Sequence, residues 1–331
     1  FLGRMAVKLV MCKLGLAQED DRDDHCEKRV ETSGQLFRGL FWTIYKRFLK
    51  TVKLCAAKRQ FVDIPTLVAG ISIITQNFRH CFLTGTWGAQ KNSYMRIGVA
   101  QILSRQNFLS CLSHMRRISI PVGRQGKNTK MRLLNASHAF FICPVETPEG
   151  STTGVVLNFA ATTTVSSSVP FDLVLSALRA IPAALFTEGK FAALDGPEVA
   201  LVVLNGCPVG VTAGGPRFVE AFNTLKDSGA IPRPVSATHV EHEMCVHIHA
   251  DEGRMMRPVF VARRMAEFLD PPAAGCERPG WDALVDRGVI RYIDNREAEG
   301  SVIAMHHAEI VPMGATLCEI SPDAMVSVVT A

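Results

Sequence analysis

Residues 64–145 contain no aspartate or glutamate, yet they carry ten lysines and arginines. These are Arg79, Lys91, Arg96, Arg105, Arg116, Arg117, Arg124, Lys127, Lys130 and Arg132. The whole chain has 36 basic and 31 acidic residues, so the remainder holds 26 against 31. The stretch is therefore +10 and the rest −5, a polarity that the net charge of +5 conceals. Whatever this stretch folds into presents a surface that attracts a polyanion and repels acidic partners. Nucleic acid is the commonest polyanion. Directly after it stands the octapeptide Cys143-Pro144-Val145-Glu146-Thr147-Pro148-Glu149-Gly150.

Length and composition narrow the rest. A chain of 331 residues has room for two or three domains, and 47% hydrophobic residues can fill their cores. Aromatics are 7% with three tryptophans, which argues against a platform of many exposed rings for stacking single strands. No apolar run approaches the ~18 residues of a membrane span. The start, Phe1-Leu2-Gly3-Arg4, has neither an initiator methionine nor a signal-peptide pattern, and residues 318–331 are apolar without terminal features. Both ends are expected to continue in a longer protein. Ten cysteines, at 12, 26, 55, 81, 111, 143, 207, 245, 276 and 318, are scattered without a C-x-x-C pair. They read as buried free thiols of a reducing, intracellular compartment.

Along the chain, residues 1–17 and 33–58 are expected to be helices, with Phe37, Leu40, Phe41, Ile44 and Phe48 on one face. The charged segment 19–29 between them reads as a solvated loop. Residues 86–118 carry a loop and a helix, on which Ile102, Phe108, Leu109, Leu112 and Met115 are expected to line a buried face. The segment 121–128, with a proline and two glycines among basic residues, reads as an exposed loop whose Arg124 and Lys127 can reach phosphates. Residues 160–168 are expected to form a strand leading into a linker. Residues 200–212 read as a hairpin turning at Asn205-Gly206. Strands 244–249 and 254–261 are expected to pair in a second hairpin about Asp251-Glu252-Gly253, with a helix over 216–229 between the two hairpins. A linker is expected at 271–275, then helix, turn and strand over 281–297 and a return strand at 301–305. No P-loop, dinucleotide fingerprint, heptad or D-x-D-x-D cluster is present. Cys245, His247 and His249 alternate on one face of a strand, but without a fourth ligand nearby no metal site is expected, and His306-His307 point to opposite faces. No catalytic residue is expected in this chain.

The blocks Leu112-Ser113-His114-Met115-Arg116-Arg117-Ile118-Ser119, the glycine loop after them, and Ile142-Cys143 through the octapeptide resemble the fork region of the second-largest, β-type subunit of multisubunit DNA-directed RNA polymerases. Further blocks follow in that family's order, among them Asp20-Asp21-Arg22-Asp23 with Lys28-Arg29, Gly98-Val99-Ala100-Gln101, Asp251-Glu252-Gly253-Arg254 with Arg257-Pro258, and Cys318-Glu319-Ile320-Ser321-Pro322. The likeness is to polymerase II or its relatives in large DNA viruses, with a lean to the viral form. Three places depart from the family pattern. His138-Ala139-Phe140 stands where His-Trp-Gly is usual, Leu157 where most cellular members have lysine, and Asp24-His25-Cys26 where His-aromatic-Gly is usual.

The resemblance implies an α+β, multidomain chain. Residues 1–85 would be the end of the lobe and a helical second part of the protrusion. Residues 86–168 would be a mixed α/β fork domain. Two small β-rich external domains would follow at 169–265 and 266–312, then the start of a hybrid-binding domain at 313–331. It implies DNA-templated RNA synthesis by a complex in which two Mg2+ ions are held mainly by the largest subunit and none by this chain, with zinc in a C-terminal clamp beyond it. Gln101, Arg105, His114, Arg116, Arg117, Arg124, Lys127 and Arg132 would face nucleic acid. Pro144, Glu146, Pro148 and Glu149 would order their loop, the glutamates accepting hydrogen bonds from arginine or backbone amides. Arg116 and Arg117 also stand where a helix C-terminus wants cations, and His114 suits a structural hydrogen bond equally well. Implied partners are the largest and smaller polymerase subunits, the DNA template, the RNA transcript and NTPs, but no membrane. The implied location is the nucleus for a cellular protein, and a cytoplasmic viral factory or virion for a viral one. The alternative is a non-catalytic, truncated or degenerate copy that binds nucleic acid or a polymerase partner.

Overall fold

The computed structural model of the chain describes residues 2–58, 61, 63–87, 96–122, 129–182, 185–189, 199–265 and 279–330. The expected linker at 271–275, the loop residues Arg124 and Lys127, and Cys276 lie outside them.

The N-terminal part is helical: α1 (Leu2–Lys13), α2 (Ser33–Ala57), α3 (Ile64–Ala69) and α4 (Ile73–Thr84). A reciprocal capping box between Thr32 and Gln35 starts α2, and Gly85, left-handed at φ 67°, ends α4. Leu40 and Ile44 pack against Cys81, Phe78 and Trp87. The expected apolar face is only half used, because Phe37 and Phe41 keep 45% and 41% of their surface exposed. The segment after α1 is not simply a solvated loop. Its backbone is tied to distant parts: His25 N–H donates to Ser137 Oγ (3.0 Å) and Val30 N–H to Gly253 O (2.7 Å), while Arg29 pairs with Asp251 (2.6 Å).

Next come α5 (Phe108–Met115) and a two-stranded antiparallel ladder of β1 (Arg117–Ser119) and β2 (Val156–Asn158). Of the expected buried face only Leu112 is half-buried, so the orientation of α5 runs largely against the expectation. Ser110, Ser113 and His114 turn inward to polar partners, whereas Ile102, Phe108, Leu109 and Met115 are 96%, 79%, 46% and 64% exposed. The apolar residues of the ladder, Ile118 and Leu157, pack with Phe141, Ile142 and Met255, and hydrogen bonds from Ser110, Ser113 and His114 set which side of α5 faces in.

The C-terminal part holds two five-stranded sheets. Its elements begin with β3 (Thr164–Val165), α6 (Phe171–Leu178), β4 (Thr187–Glu188), β5 (Ala200–Leu204) and β6 (Cys207–Thr212). They continue with α7 (Gly215–Asp227), β7 (Ser236–Val240), β8 (Cys245–His249), β9 (Met255–Val261), α8 (Trp281–Asp286) and β10 (Ile290–Asp294). Last come α9 (Asn295–Glu299), β11 (Ile303–Ala304), α10 (Ile310–Met313) and β12 (Leu317–Cys318). The first sheet runs β4-β6-β5-β8-β7, with β5 and β8 parallel. Against it pack Val174 and Leu178 of α6 and Phe218 and Phe222 of α7, all fully buried. Each such side chain contributes roughly 1.5–3 kcal/mol. The β5–β6 hairpin turns at Asn205 (φ 48°) and Gly206 (φ 82°), the pair of left-handed residues that a two-residue turn requires.

The second sheet runs β10-β9-β12-β11, with β3 also paired to β9. The expected second hairpin does not form, because β8 and β9 belong to different sheets. Residues that would have closed it are taken by other segments. Asn205 Oδ1 accepts from Ala250 N–H (2.7 Å), Ser166 Oγ donates to Asp251 O (2.9 Å), and Gly253 (φ 88°) lies where a Cβ would meet Val30 O at 2.6 Å. Residues 160–168 contain the expected strand, β3, but it pairs with β9 inside this sheet rather than leading into a free linker. The expected return strand shortens to Ile303–Ala304 and pairs parallel with β12 rather than with β10. Residues 295–299 form α9 instead, capped by Asp294 Oδ1, which accepts from Glu297 N–H (2.8 Å).

A buried ionic seam joins the two sheets. Lys226 Nζ donates to Tyr292 O (2.8 Å) and pairs with Glu297 (3.3 Å). Asp227, 1% exposed at its side chain, holds Arg291 through two bonds of 2.8 and 2.6 Å. Arg254 pairs with Asp294 (2.9 Å) and donates to Ser236 Oγ (2.8 Å).

Candidate functional site

The ladder of β1 and β2 sets the two arginines apart. Arg116 is the C-cap of α5, at φ −95° and ψ 12°, whereas Arg117 opens β1, so the two side chains leave different elements. Arg117, opposite Asn158, is exposed. Arg116 turns inward, and its Nη2 donates to the carbonyls of Ala160 (2.5 Å), Thr163 (3.0 Å) and Ala161 (3.2 Å). Burial works against its charge, and three carbonyl dipoles compensate. Arg116 thus staples the segment leaving β2. The guanidinium also lies 5.9 Å from the Phe159 ring.

Upstream, one relay of hydrogen bonds orders the approach to α5. Ser104 N–H donates to His114 Nδ1 (3.1 Å), which leaves the proton on Nε2. That nitrogen donates to Gln101 Oε1 (2.9 Å), and Gln101 Nε2 donates to Gly98 O (2.8 Å). Asn107 caps α5 by accepting from Ser110 N–H (2.6 Å). Gln101 and His114 are therefore engaged with one another, while Arg105 is exposed.

The octapeptide loop is ordered from several sides. Ser113 Oγ donates to Glu146 Oε1, whose companion oxygen Oε2 is buried without a partner. Cys143 is 2% exposed. Burial raises its thiol, but hydrogen bonds to sulfur from Glu146 N–H and the Thr330 hydroxyl outweigh burial and leave it below the ordinary range. Thr147 Oγ1 donates to Val156 O (2.9 Å) and accepts from Gly154 N–H (3.1 Å). Arg132 Nη1 donates to Ser151 O (2.8 Å) and Thr153 O (2.9 Å), so this arginine holds the loop's far end. Glu149 is exposed and its side chain caps nothing in the one-turn helix that follows. Pro144 is half-buried and Pro148 exposed. Sequence reasoning missed Ser113, Thr147 and Thr163. Their only signal was a hydroxyl side chain, which does not by itself name its partner.

Behind the loop, Phe140 adopts φ 63°, a left-handed conformation that costs a side chain roughly 1–2 kcal/mol. Its ring lies 4.8 Å from the guanidinium of Arg257, which Phe141 also faces at 5.1 Å and which pairs with Glu319. Among the described residues, one group of metal-capable atoms lies within 4.8 Å of one another, on Asp24, Cys26 and Glu299. Burial and the Asp24 and Glu299 carboxylates push the Cys26 thiol well up, so it stays protonated and donates to Glu299. Cys245, His247 and His249 form no such group among the described residues. The nine described cysteines are free, and Cys207 is exposed rather than buried as expected.

Residues 101–165 match the family RNA polymerase Rpb2, domain 3, and residues 202–263 match RNA polymerase Rpb2, domain 4. The chain is 32% identical over 334 residues to the DNA-directed RNA polymerase II subunit RPB2 of Schizosaccharomyces pombe, covering 92% of this chain and 27% of that one. The chain belongs to the Rpb2 family. A probable RPB2 homolog of Invertebrate iridescent virus 6 is also 32% identical, over 87% of this chain and 24% of its own. The archaeal subunit Rpo2 of Saccharolobus shibatae is 29% identical over 94% and 28%. The chain thus spans about a quarter of the length of these curated relatives. Cellular and viral Rpb2 relatives stand at equal identity, so the viral lean finds no support in it. The Rpb2 domain 3 match contains the Gln101–His114 relay, both arginines and the octapeptide. The helices α1 to α4 lie outside both matches. No helix among the described residues is long and apolar enough to cross a membrane.

Proposed function

We propose that this chain is part of a DNA-directed RNA polymerase, which synthesises RNA from NTPs on a DNA template. In it, residues 86–168 form the fork and a wall of the cleft beside the RNA–DNA hybrid and downstream DNA. The observation that carries this reading is the split between adjacent arginines. Arg116 fixes the backbone, and Arg117 stands exposed on the strand so fixed, within a stretch of 82 residues free of acids. Arg105 and Arg117, with Arg124 and Lys127 of the neighbouring loop, contact phosphates. Such contacts carry no sequence information, which suits an enzyme that transcribes any template. Gln101 and His114 act as an ordered pair at the edge of this surface. The exposed apolar side of α5 meets another polymerase subunit.

Magnesium supplies the chemistry of nucleotidyl transfer by aligning and polarising the 3′ hydroxyl and the leaving phosphate. The one metal-capable group among the described residues mixes a protonated thiol with two carboxylates, a poor match for an ion that prefers oxygen ligands. We assign the ions to the largest subunit and zinc to a clamp elsewhere in the complex. The protein then works in the nucleus of a cell or in a viral factory or virion.

The test is Arg117→Ala in a reconstituted polymerase. Loss of elongation with assembly intact supports the assignment, and unchanged RNA synthesis sinks it. A double Arg116→Ala/Arg117→Ala variant is the wrong experiment, because Arg116 is a structural staple. A second reading, a copy that binds without catalysis, draws on Phe140 in a left-handed position that suits glycine rather than a large side chain. It predicts normal assembly and nucleic-acid binding with no RNA synthesis in the unmutated complex.

A further inference from the structure

The 25 residues of α2 contain five lysines and arginines and no acid. Burial of Leu40 and Ile44 fixes its inward side. At 3.6 residues per turn the opposite side carries Arg38, Trp42, Lys46, Lys50 and Lys53. All five are exposed, Trp42 at 55%. Among the described residues no carboxylate pairs with any of these four cations, whereas Arg47, off the row, donates to Asn77 Oδ1 (3.3 Å). Like charges three and four residues apart destabilise a helix, and here Lys46, Lys50 and Lys53 are left so. The row runs about 22 Å along the axis from Arg38 to Lys53. Lys46 Nζ lies 5.3 Å from the Trp42 ring and Tyr45 stacks beside it at 6.1 Å. Overall the chain is poor in aromatics, yet here an exposed indole is set among cations. That combination fits a ligand that is both polyanionic and flat-faced.

We propose that the outward face of α2 is a contact for single-stranded nucleic acid, with Arg38, Lys46, Lys50 and Lys53 on phosphates and Trp42 stacked on a base. The proposal rests on the nucleic-acid reading above and shares none of its residues.

The experiment titrates the full chain into a fluorescein-labelled oligothymidylate, and separately into its duplex with oligoadenylate, at several salt concentrations. Removing one cation from a phosphate lowers the slope of log affinity against log salt by about 0.7 for a single strand. Lys46→Gln/Lys50→Gln/Lys53→Gln is therefore expected to lower it by about 2, with cooperative thermal unfolding retained. The triple Lys→Arg variant should keep the slope. Trp42→Ala should weaken single-strand binding about tenfold and leave the slope unchanged. An unchanged slope in the Lys→Gln variant overturns the proposal, and so do equal losses from Trp42→Ala on strand and duplex. If Arg117→Ala stops RNA synthesis while the α2 variants bind normally, the α2 contact fails and the polymerase function stands. If the α2 variants lose binding while Arg117→Ala leaves RNA synthesis intact, the reverse holds.

Discussion

Arg116 and Arg117 are neighbours with opposite roles, and their sequence motif could not separate them. Arg116 closes α5 and reaches the carbonyls after β2, while Arg117 opens β1 opposite Asn158, and both facts rest on partners distant in sequence. Arg116→Ala should cost about 2–3 kcal/mol, since it removes charge-assisted bonds and leaves carbonyls poorly satisfied. Arg117→Ala should stay within about 0.5 kcal/mol. Urea denaturation of the two single variants measures the difference. Phe140 offers a sharper test of strain against contact. Phe140→Ala loses the ring over Arg257 and keeps the left-handed backbone, while Phe140→Gly loses the ring and relieves the backbone. Glycine should therefore be the more stable of the two by about 1 kcal/mol in thermal or urea unfolding.

Among the elements, the β5–β6 hairpin was legible because Asn205-Gly206 carries its turn locally. The β8–β9 connection looked as hairpin-like, yet its turn is claimed by Val30, Ser166 and Asn205, which no local pattern reveals. The same holds for α5, where apolar spacing is real but Ser113, Glu146 and the His114 relay choose the inward side. The seam at the end of α7 was likewise invisible, since Lys226 and Asp227 look like an ordinary surface pair in sequence. Asp227→Ala should cost about 3–5 kcal/mol by leaving Arg291 buried and unpaired, and adding Arg291→Ala should recover part of that. Three histidines turned into the fold, His25, His138 and His249, give a pH dependence. Burial holds His25 and His249 neutral down to about 4, and lowers His138 as well. Unfolded histidines take up protons near 6.5, so the unfolded chain binds more protons between these values. Their contribution is full above about 6.5 and is lost as pH falls towards 4. Denaturation midpoints should drop over that window, and less steeply in His249→Gln.

For the molecule as a whole, the polarity of charge was plain in sequence, and so were the blocks that mark the Rpb2 family. Which cations are spent inside the fold was not. Arg116 and Arg132 bind carbonyls and Arg96 pairs with Glu31 from outside the acid-free stretch, leaving Arg79, Arg105, Arg117 and Lys130 outward among the described residues. The sheet order was hidden for a related reason, that β9 finds partners far from it in sequence.

That last arrangement sets a timetable on the ribosome. The first sheet has all its strands once His249 is made, but β3 at residues 164–165 belongs to a sheet completed only by Cys318. The difference is 318 − 165 = 153 residues, which at typical rates of synthesis is a wait of about 8–30 s. In the last part of that interval, between His249 and Cys318, the nascent chain carries one finished sheet and a set of unpaired strand edges, the state in which chaperones find their clients.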